Sequence, residues 1–398
     1  MKKIAILLPA LFPVPAVRGG AIETLIEGLI RQNEKTPIFE FTVYSAYDEQ
    51  AYKRSLDFNY TKFEYVHSSE KIYRVYYLFY RFVKKVFKLA IPDNLARKKM
   101  VDRINIDDFD WILYEAGEVF SLLSYYKKLD SRKTLVHAHG MITPIPKVDK
   151  CFSYYLSISQ FVSEYWANNS SRSKKTYIVW KNCIQRDNFT KKLDKESVEG
   201  LKKKFGIHKS DFVIIFTGRI IPEKGVLELL KAMSYLKDDK IKLIVIGSAN
   251  FAENTATAYE KLVRNEKEKL GDKVIFTGFV HNTELYKYYQ LADIAVVPSM
   301  WDEPAGLVVI EAMAAGKPII TTGSGGIKEY ITDNAALYID RSKDVAHQIA
   351  DKIRYLLEKP DEREKMSLAA IKHSEQYDMR NYLERLEEII SDIESMKG

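Results

Sequence analysis

The stretch PSMWDEPAGLVVIEAMAAGKPIITT runs from Pro298 to Thr322. The apolar run DIAVVPS (293–299) leads into it, and WDEPAG then supplies a proline- and glycine-containing turn. An apolar segment of helical length follows, Gly316 ends it, and KPIITTG (317–323) forms a second apolar run. Two short, continuously apolar strands bracketing a helix are the pattern of a parallel sheet covered on both faces. Two glutamates interrupt this pattern. On a helix Glu311 has Leu307, Val308, Ala314 and Ala315 as its neighbours three and four residues away, all apolar or small. An ionised carboxylate on such a face costs several kcal/mol unless something hydrogen-bonds to it, so Glu311 needs a partner.

The same alternation extends in both directions. In the first half the strand candidates are KIAILL (3–8), FEFTVYSA (39–46), DWILYEA (110–116), TLVHAHG (134–140), YYLSIS (154–159) and TYIVWKNCI (176–184). The polar segment from Arg186 to Gly206 reads as a linker followed by a helix. A second series then runs through DFVIIFTGR (211–219), KLIVIGS (242–248), VIFTGFV (274–280), DIAVVPS and KPIITTG, with helical segments such as GVLELLKAMSYL (225–236) and ELYKYYQLA (284–292) between strands. The fold class expected is α/β, with two tandem Rossmann-like domains facing across a cleft.

Composition agrees with a globular protein of this size. The chain has 398 residues, too many for one ordinary core, with 46% hydrophobic and 29% charged residues and a net charge of +7. That mild excess suits anionic partners without requiring nucleic acid. The two cysteines, Cys151 and Cys183, argue against a disulfide scaffold or structural zinc and fit a reducing, cytoplasmic compartment. The opening MKKIAILLPALFPVPAVRGG has some features of an export signal, but Pro9, Pro13 and Pro15 interrupt its apolar run. A first strand entering a loop is the better reading. No apolar run approaches the ~20 residues needed to span a bilayer, so a soluble or peripheral protein is expected.

Ligands of such sheets bind beyond the carboxyl ends of the strands. There, FTGRIIPEKGV places Arg219 and Lys224 between a strand and a helix start, a combination suited to a pyrophosphate; taken alone, both read equally as surface loop cations. Gly306 and Leu307 open the next helix, where free N–H groups can face phosphate. Glu303, on the turn, is placed to meet a sugar hydroxyl, and a ribose diol would satisfy Glu311. The bland alternatives are a buried Glu311 paired with a lysine or backbone amide, and a Glu303 that merely complements a helix dipole. In the first half, Gly19 and Gly20 allow close backbone approach after the first strand, and His139 stands at a strand end, with His137 the likelier core residue. Asp108-Phe109-Asp110 matches a metal-holding D-x-D pattern but precedes its strand, at the wrong end of the sheet. No metal ligand is therefore assigned, and cations and helix amides are expected to neutralise a diphosphate unaided.

These residues carry a family resemblance. GRIIPEKG resembles the G-R-(x)n-K-G motif, and EPAGLVVIE the E-P-x-G-L-x(3)-E signature, of GT-B-fold retaining glycosyltransferases of family 4. GGAIETL resembles the N-terminal glycine loop of that family, and NCIQRDNF its interdomain segment. The resemblance implies a nucleotide-sugar donor, UDP being favoured, and no cofactor or metal. Arg219 and Lys224 would stabilise the departing diphosphate, Glu303 would contact the donor sugar, and Glu311 would hold the ribose. Gly306 and Leu307 amides would lie near the phosphates, with Val280, at the end of its strand, among the donor contacts. Gly19, Gly20 and His139 would approach the reacting sugar from the N-terminal side. It also implies domains at 1–185 and 186–374, with a last helix (375–398) crossing back to the first. Ala305, Cys183 and Gln185 depart from the usual residues; the first bears on donor-sugar space.

The segment KIYRVYYLFYRFVKKVFKLAIPDNLARKKM (71–100) holds nine Lys/Arg, seven aromatics and one acid, Asp93. On a helix Arg74, Arg81, Lys84, Lys85 and Lys88 form one stripe, with Tyr73, Tyr76, Tyr80, Val83 and Phe87 opposite. This reads either as a helix with a solvated basic face or as an interfacial helix on an anionic leaflet. The family resemblance favours the membrane, with a glycan or lipid-linked acceptor on the inner face. Single-stranded nucleic acid is set aside because no RNA-binding module accompanies the basic aromatic stretch. The expected activity is sugar transfer in surface polysaccharide or glycolipid assembly. Two alternatives are a same-fold sugar-nucleotide epimerase or hydrolase, and an inactive membrane-associated partner that binds nucleotide sugar.

Overall fold

A computed structural model describes residues 1–9, 12–67, 70–87, 95–116, 132–143, 149, 152–170, 173, 176–248 and 258–396. The chain forms two compact units: Met1–Cys183 with Met379–Gly398, and Ile184–Asp378.

The first unit is built on a parallel sheet of seven strands: β1 (Lys2–Leu7), β2 (Phe39–Ala46), β3 (Thr61–Val66), β4 (Trp111–Ala116), β5 (Thr134–Ala138), β6 (Tyr154–Ser157) and β7 (Tyr177–Val179). Their order is β3-β2-β1-β4-β5-β6-β7. Ile4 to Leu7 and Ile112 to Tyr114 are fully buried or nearly so, as the continuous apolar runs require of strands covered on both faces. β3 had no counterpart in the sequence reading. Its segment TKFEYV alternates polar and apolar residues because it is an edge strand, and it lacks the apolar run used to find the others. The run 176–184 yields only the three residues of β7. The helix Met379–Ser395 belongs to this unit and packs on the helix Ala21–Lys35, where Met379 meets Gly28.

The second unit contains β8 (Phe212–Thr217), β9 (Ile241–Ile246), β10 (Val274–Gly278), β11 (Ile294–Val297), β12 (Ile319–Thr321) and β13 (Ala336–Tyr338), ordered β10-β9-β8-β11-β12-β13 and parallel throughout. Its core includes Ile214, Phe216, Leu229, Leu230, Leu243, Val296 and Ile349. The opening stretch resolves into β11, the turn 298–306, the helix Leu307–Ala314 and β12. In both units the strand order reverses once, between β1 and β4 and between β8 and β11. Such switch points leave a crevice beyond the carboxyl ends of the strands.

Candidate active site

In the second unit, the loops after β8 and β11 flank the switch point. They are locked together by backbone. Met300 N–H donates to the Glu223 carbonyl (2.8 Å), and Gly225 (φ +70°) lies so close to Pro298 that a Cβ would stand 2.0 Å from its carbonyl oxygen. Only glycine fits that approach. The contact aligns Lys224 with the next loop: its Nζ donates to Glu303 Oε1 at 2.6 Å, and Ser299 Oγ donates to the same oxygen at 2.7 Å. Glu303 is buried, and its Oε2 accepts no hydrogen bond from the described residues. Its carbonyl accepts from Gly326 N–H (2.7 Å), which pins the turn to the loop after β12.

The Lys224–Glu303 pair is electrically neutral, so it does not itself attract an anion. Arg219 does. It is exposed, has no ion-pair partner among the described residues, and stands on the loop that the Glu223–Met300 bond ties to the turn before the helix Leu307–Ala314. The first N–H groups of that helix lack intrahelical acceptors and carry its positive dipole end. Gly306 caps it, and here the small residue serves internal packing: a Cβ would lie 2.8 Å from Val309 Cγ2 and 3.3 Å from Ile327 Cγ1.

Glu311 lies on the inner face of this helix, 8% exposed. The lysine that the bland reading supplied is missing: no cation among the described residues reaches Glu311. Burial raises its pKa to about 8, and a hydrogen bond from the Asn282 side chain opposes that rise only in part. Half-buried Val280, just past β10, leads into the turn carrying Asn282. Nearby, Tyr289 is buried with its hydroxyl 3.0 Å from Thr217 Oγ1.

The first unit gathers a separate cluster at its own strand ends. Glu115 closes β4, and its Oε2 receives His139 Nε2 at 2.5 Å and His137 Nδ1 at 3.1 Å. Glu115 and His137 are wholly buried, whereas the His139 side chain is 13% exposed. Burial holds His137 below its ordinary pKa, so it is neutral and donates from Nδ1. Burial alone would raise Glu115, but the two histidine contacts outweigh it and keep the carboxylate ionised. With Nε2 committed to Glu115, His139 has Nδ1 left for an outside partner. Trp180 packs at a tilt against His137 (4.6 Å between centroids) and stacks on Tyr382 (4.1 Å). The three side chains Glu115, His137 and His139 also have the spacing of a potential metal group, but the two short nitrogen–oxygen contacts are those of hydrogen bonds.

Gly19 and Gly20 both have positive φ, +77° and +100°. Gly20 starts the helix Ala21–Lys35, and a Cβ there would stand 2.1 Å from Glu23 Oε2. Glu23 is buried, and that burial raises its pKa to about 7, with the Glu115 charge adding to the rise. The loop before Gly19 is fastened by Val14 N–H to Ser45 Oγ (2.8 Å) and Ala16 N–H to Glu27 Oε2 (2.7 Å). Asp110, from the D-x-D pattern, accepts the Lys3 N–H (2.8 Å) and so ties the start of β1 to β4.

Sequence reasoning gave Glu115 no role, and it missed Glu23, Ser299 and Asn282. An acid closing an otherwise apolar strand was the signal for Glu115. Serine and asparagine in turns carry none, because turn chemistry alone explains them.

Residues 197–373 match the family described as Glycosyl transferases group 1. The second unit is a group 1 glycosyl transferase domain. Over 92% of its length the chain is 27% identical to spore coat protein SA of Bacillus subtilis, 92% of which is covered. It is 23% identical to the lipopolysaccharide 1,2-N-acetylglucosaminetransferase of Salmonella typhimurium, covering 85% of this chain and 84% of that one. Among solved structures, Anabaena HepE in complex with UDP and glucose superposes with a TM-score of 0.74 at 18% identity, covering 98% of this chain and all of that one. A glycosyltransferase from Rickettsia africae matches equally, at 20% identity and 98% coverage of each. These likenesses establish the GT-B fold. The Lys224–Glu303 pair, Gly306, Leu307 and Glu311 all lie in the matched region, whereas the Glu115 cluster lies outside it.

Proposed function

We propose that the protein is a metal-independent, retaining glycosyltransferase of family 4, moving a sugar from a UDP-sugar to a glycan or lipid-linked acceptor in surface polysaccharide or glycolipid assembly. The observation that carries this reading is the part-buried Lys224–Glu303 pair, on a turn that leads into a helix N-terminus, together with Arg219, which has no ion-pair partner among the described residues, on the strand-end loop that also carries Lys224. Arg219 and the helix amides supply the net attraction for a diphosphate. Lys224, held by Glu303, is a second donor aimed at charge developing on the leaving oxygen. Glu303 Oε2 accepts a donor-sugar hydroxyl, and Glu311 ionises as it accepts the two ribose hydroxyls. His139 offers Nδ1 to the reacting sugar. The acceptor hydroxyl attacks on the leaving-group face, and the departing phosphate takes its proton. The UDP-bound state of HepE and the transferase named among the relatives support this choice of substrates.

The test is a thermal-shift panel of UDP, GDP and dTDP with their sugar conjugates, with and without EDTA. It is followed by NMR of the anomeric configuration of the transferred sugar. A selective, EDTA-insensitive shift with uridine nucleotides and a product of unchanged configuration are expected. A shift that appears only with a divalent ion, or an inverted product, would refute the proposal.

A further inference from the structure

The basic stripe expected to face membrane or acceptor lies on the helix Glu70–Phe87. Arg81 is exposed there, Arg74, Lys84 and Lys85 have side chains outside the described residues, and Lys88 lies outside them altogether. The strand-end loops of the first unit carry a sharper signal. Glu23 sits in the first turn of the helix Ala21–Lys35 and is only 4% exposed. Its carboxyl folds back over the helix start: a Cβ on Gly20 would stand 2.1 Å from Oε2 and 2.9 Å from Cδ, with the Phe12 ring 3.3 Å away on the other side. A glutamate at this position ordinarily closes a capping box by accepting the N-cap N–H. Here its one partner among the described residues is its own backbone N–H. The nearby cations are committed elsewhere. Arg18 pairs with Asp48 at 2.8 Å, and Arg97 donates to the Tyr114 hydroxyl (2.9 Å) and the Pro9 carbonyl (2.8 Å). The charge that Glu23 does face is the ionised Glu115, with His137 and His139 bonded to it.

A buried carboxyl that faces a second carboxylate and lacks an outside donor is costly to hold. The loop around it is nonetheless fixed. Besides the bonds of Val14 and Ala16, the Tyr65 hydroxyl donates to the Val14 carbonyl (3.0 Å), and the Arg18–Asp48 pair ties the loop to the next strand end. Such a cost in a fixed place points to a ligand that supplies the donor. We infer that Glu23 accepts a hydrogen bond from a hydroxyl of the acceptor, and that the acceptor's reacting end is an uncharged sugar. The inference rests on the transferase reading above and names the class of acceptor that the first unit admits. A sugar hydroxyl donating to a carboxylate makes one of the stronger hydrogen bonds. An acceptor ending in phosphate or carboxylate would instead set a third negative charge beside Glu23 and Glu115, where burial leaves the repulsion little screened. Selectivity then comes from the cost to the rejected ligand as much as from the bond to the accepted one. Burial raises the Glu23 pKa to about 7, so the discrimination is strongest above that value, where the carboxylate is ionised.

The test is a ligand-observed NMR titration of the full chain, saturated with UDP, at about pH 8.5. The probes are the methyl glycosides of glucose, galactose, mannose and N-acetylglucosamine, each beside its 6-phosphate. At least one neutral glycoside should bind wild type, with its 6-phosphate weaker by about tenfold or more. That comparison needs no variant to fold. Glu23→Gln should weaken the neutral sugar by about tenfold and bring its phosphate to within about threefold of it. UDP affinity should be unchanged, and Tm should not fall, because the substitution removes a buried charge that faces Glu115. A 6-phosphate that binds wild type as well as its parent sugar would overturn the inference, as would failure of every neutral glycoside to bind. So would a fall in Tm with the neutral-to-phosphate gap intact, which would make Glu23 a helix cap only. Failure of UDP itself to bind would refute the transferase reading, and this inference with it.

Discussion

Replacing Glu311 with glutamine tests whether this carboxyl is held in reserve for a ligand. In the folded protein burial raises its pKa to about 8 from the ordinary 4.5. A carboxyl raised on folding favours the folded state fully below the lower value, and that contribution is lost as pH climbs through the upper one. The displacement, 8 minus 4.5, is about 3.5 pH units, and at about 1.4 kcal/mol per unit the ceiling is about 5 kcal/mol. For a unit of this size each kcal/mol moves Tm by about 2–4 °C. Calorimetry of the ligand-free protein between pH 4.5 and 8.5 should therefore show wild type losing on the order of 10 °C relative to Glu311→Gln, the glutamine curve being flatter. Donor binding should reverse the effect. If ribose hydroxyls donate to an ionised Glu311, UDP binding at pH 7 releases about 0.9 proton, the fraction protonated at a pKa of about 8. Titration calorimetry in buffers of different ionisation enthalpy measures that release. Parallel melting curves for the two proteins, together with proton-neutral binding, would refute the reasoning and mean that Glu311 is already ionised by a partner.

Three further outcomes follow from the same geometry. Lys224→Ala should lower kcat by about 10²–10³-fold, the loss typical of one donor to developing charge, while adding Glu303→Gln should restore Tm but not turnover. Glu115→Gln removes the charge that both histidines face, so kcat/KM should fall by about 10–100-fold and its pH profile should change; an unaltered profile would show that His139 needs no charged orienting partner. Gly20→Ala places a Cβ 2.1 Å from Glu23 Oε2 at φ +100° and should destabilise the first unit by about 1–3 kcal/mol. Gly19→Ala, with nothing within 4 Å of the added Cβ, should cost less.

Most of the strand sequence was legible because parallel strands buried on both faces need unbroken apolar runs, and nothing else in an α/β chain with no membrane-length apolar segment produces them so regularly. β3 and β13 escaped because edge strands are short or alternate, as TKFEYV and ALY do. The cations and glutamates of the second unit were legible from their place at strand ends next to helix starts. Their relations were not. That Lys224 spends its charge on Glu303 while Arg219 keeps its own depends on a contact between Gly225 and Pro298, 73 positions apart. The same is true of Glu115, whose two histidine partners arrive only when β4 and β5 align Glu115 with His137.

The helix Glu70–Phe87 draws the same boundary. Its sequence determined that the segment is helical, basic and aromatic. Only the tertiary structure decided which of its apolar residues the unit covers. Periodicity assigns side chains to faces, but whether a face is buried depends on what the rest of the chain brings against it. Here that covering reaches Val83 and stops short of Phe79 and Phe82.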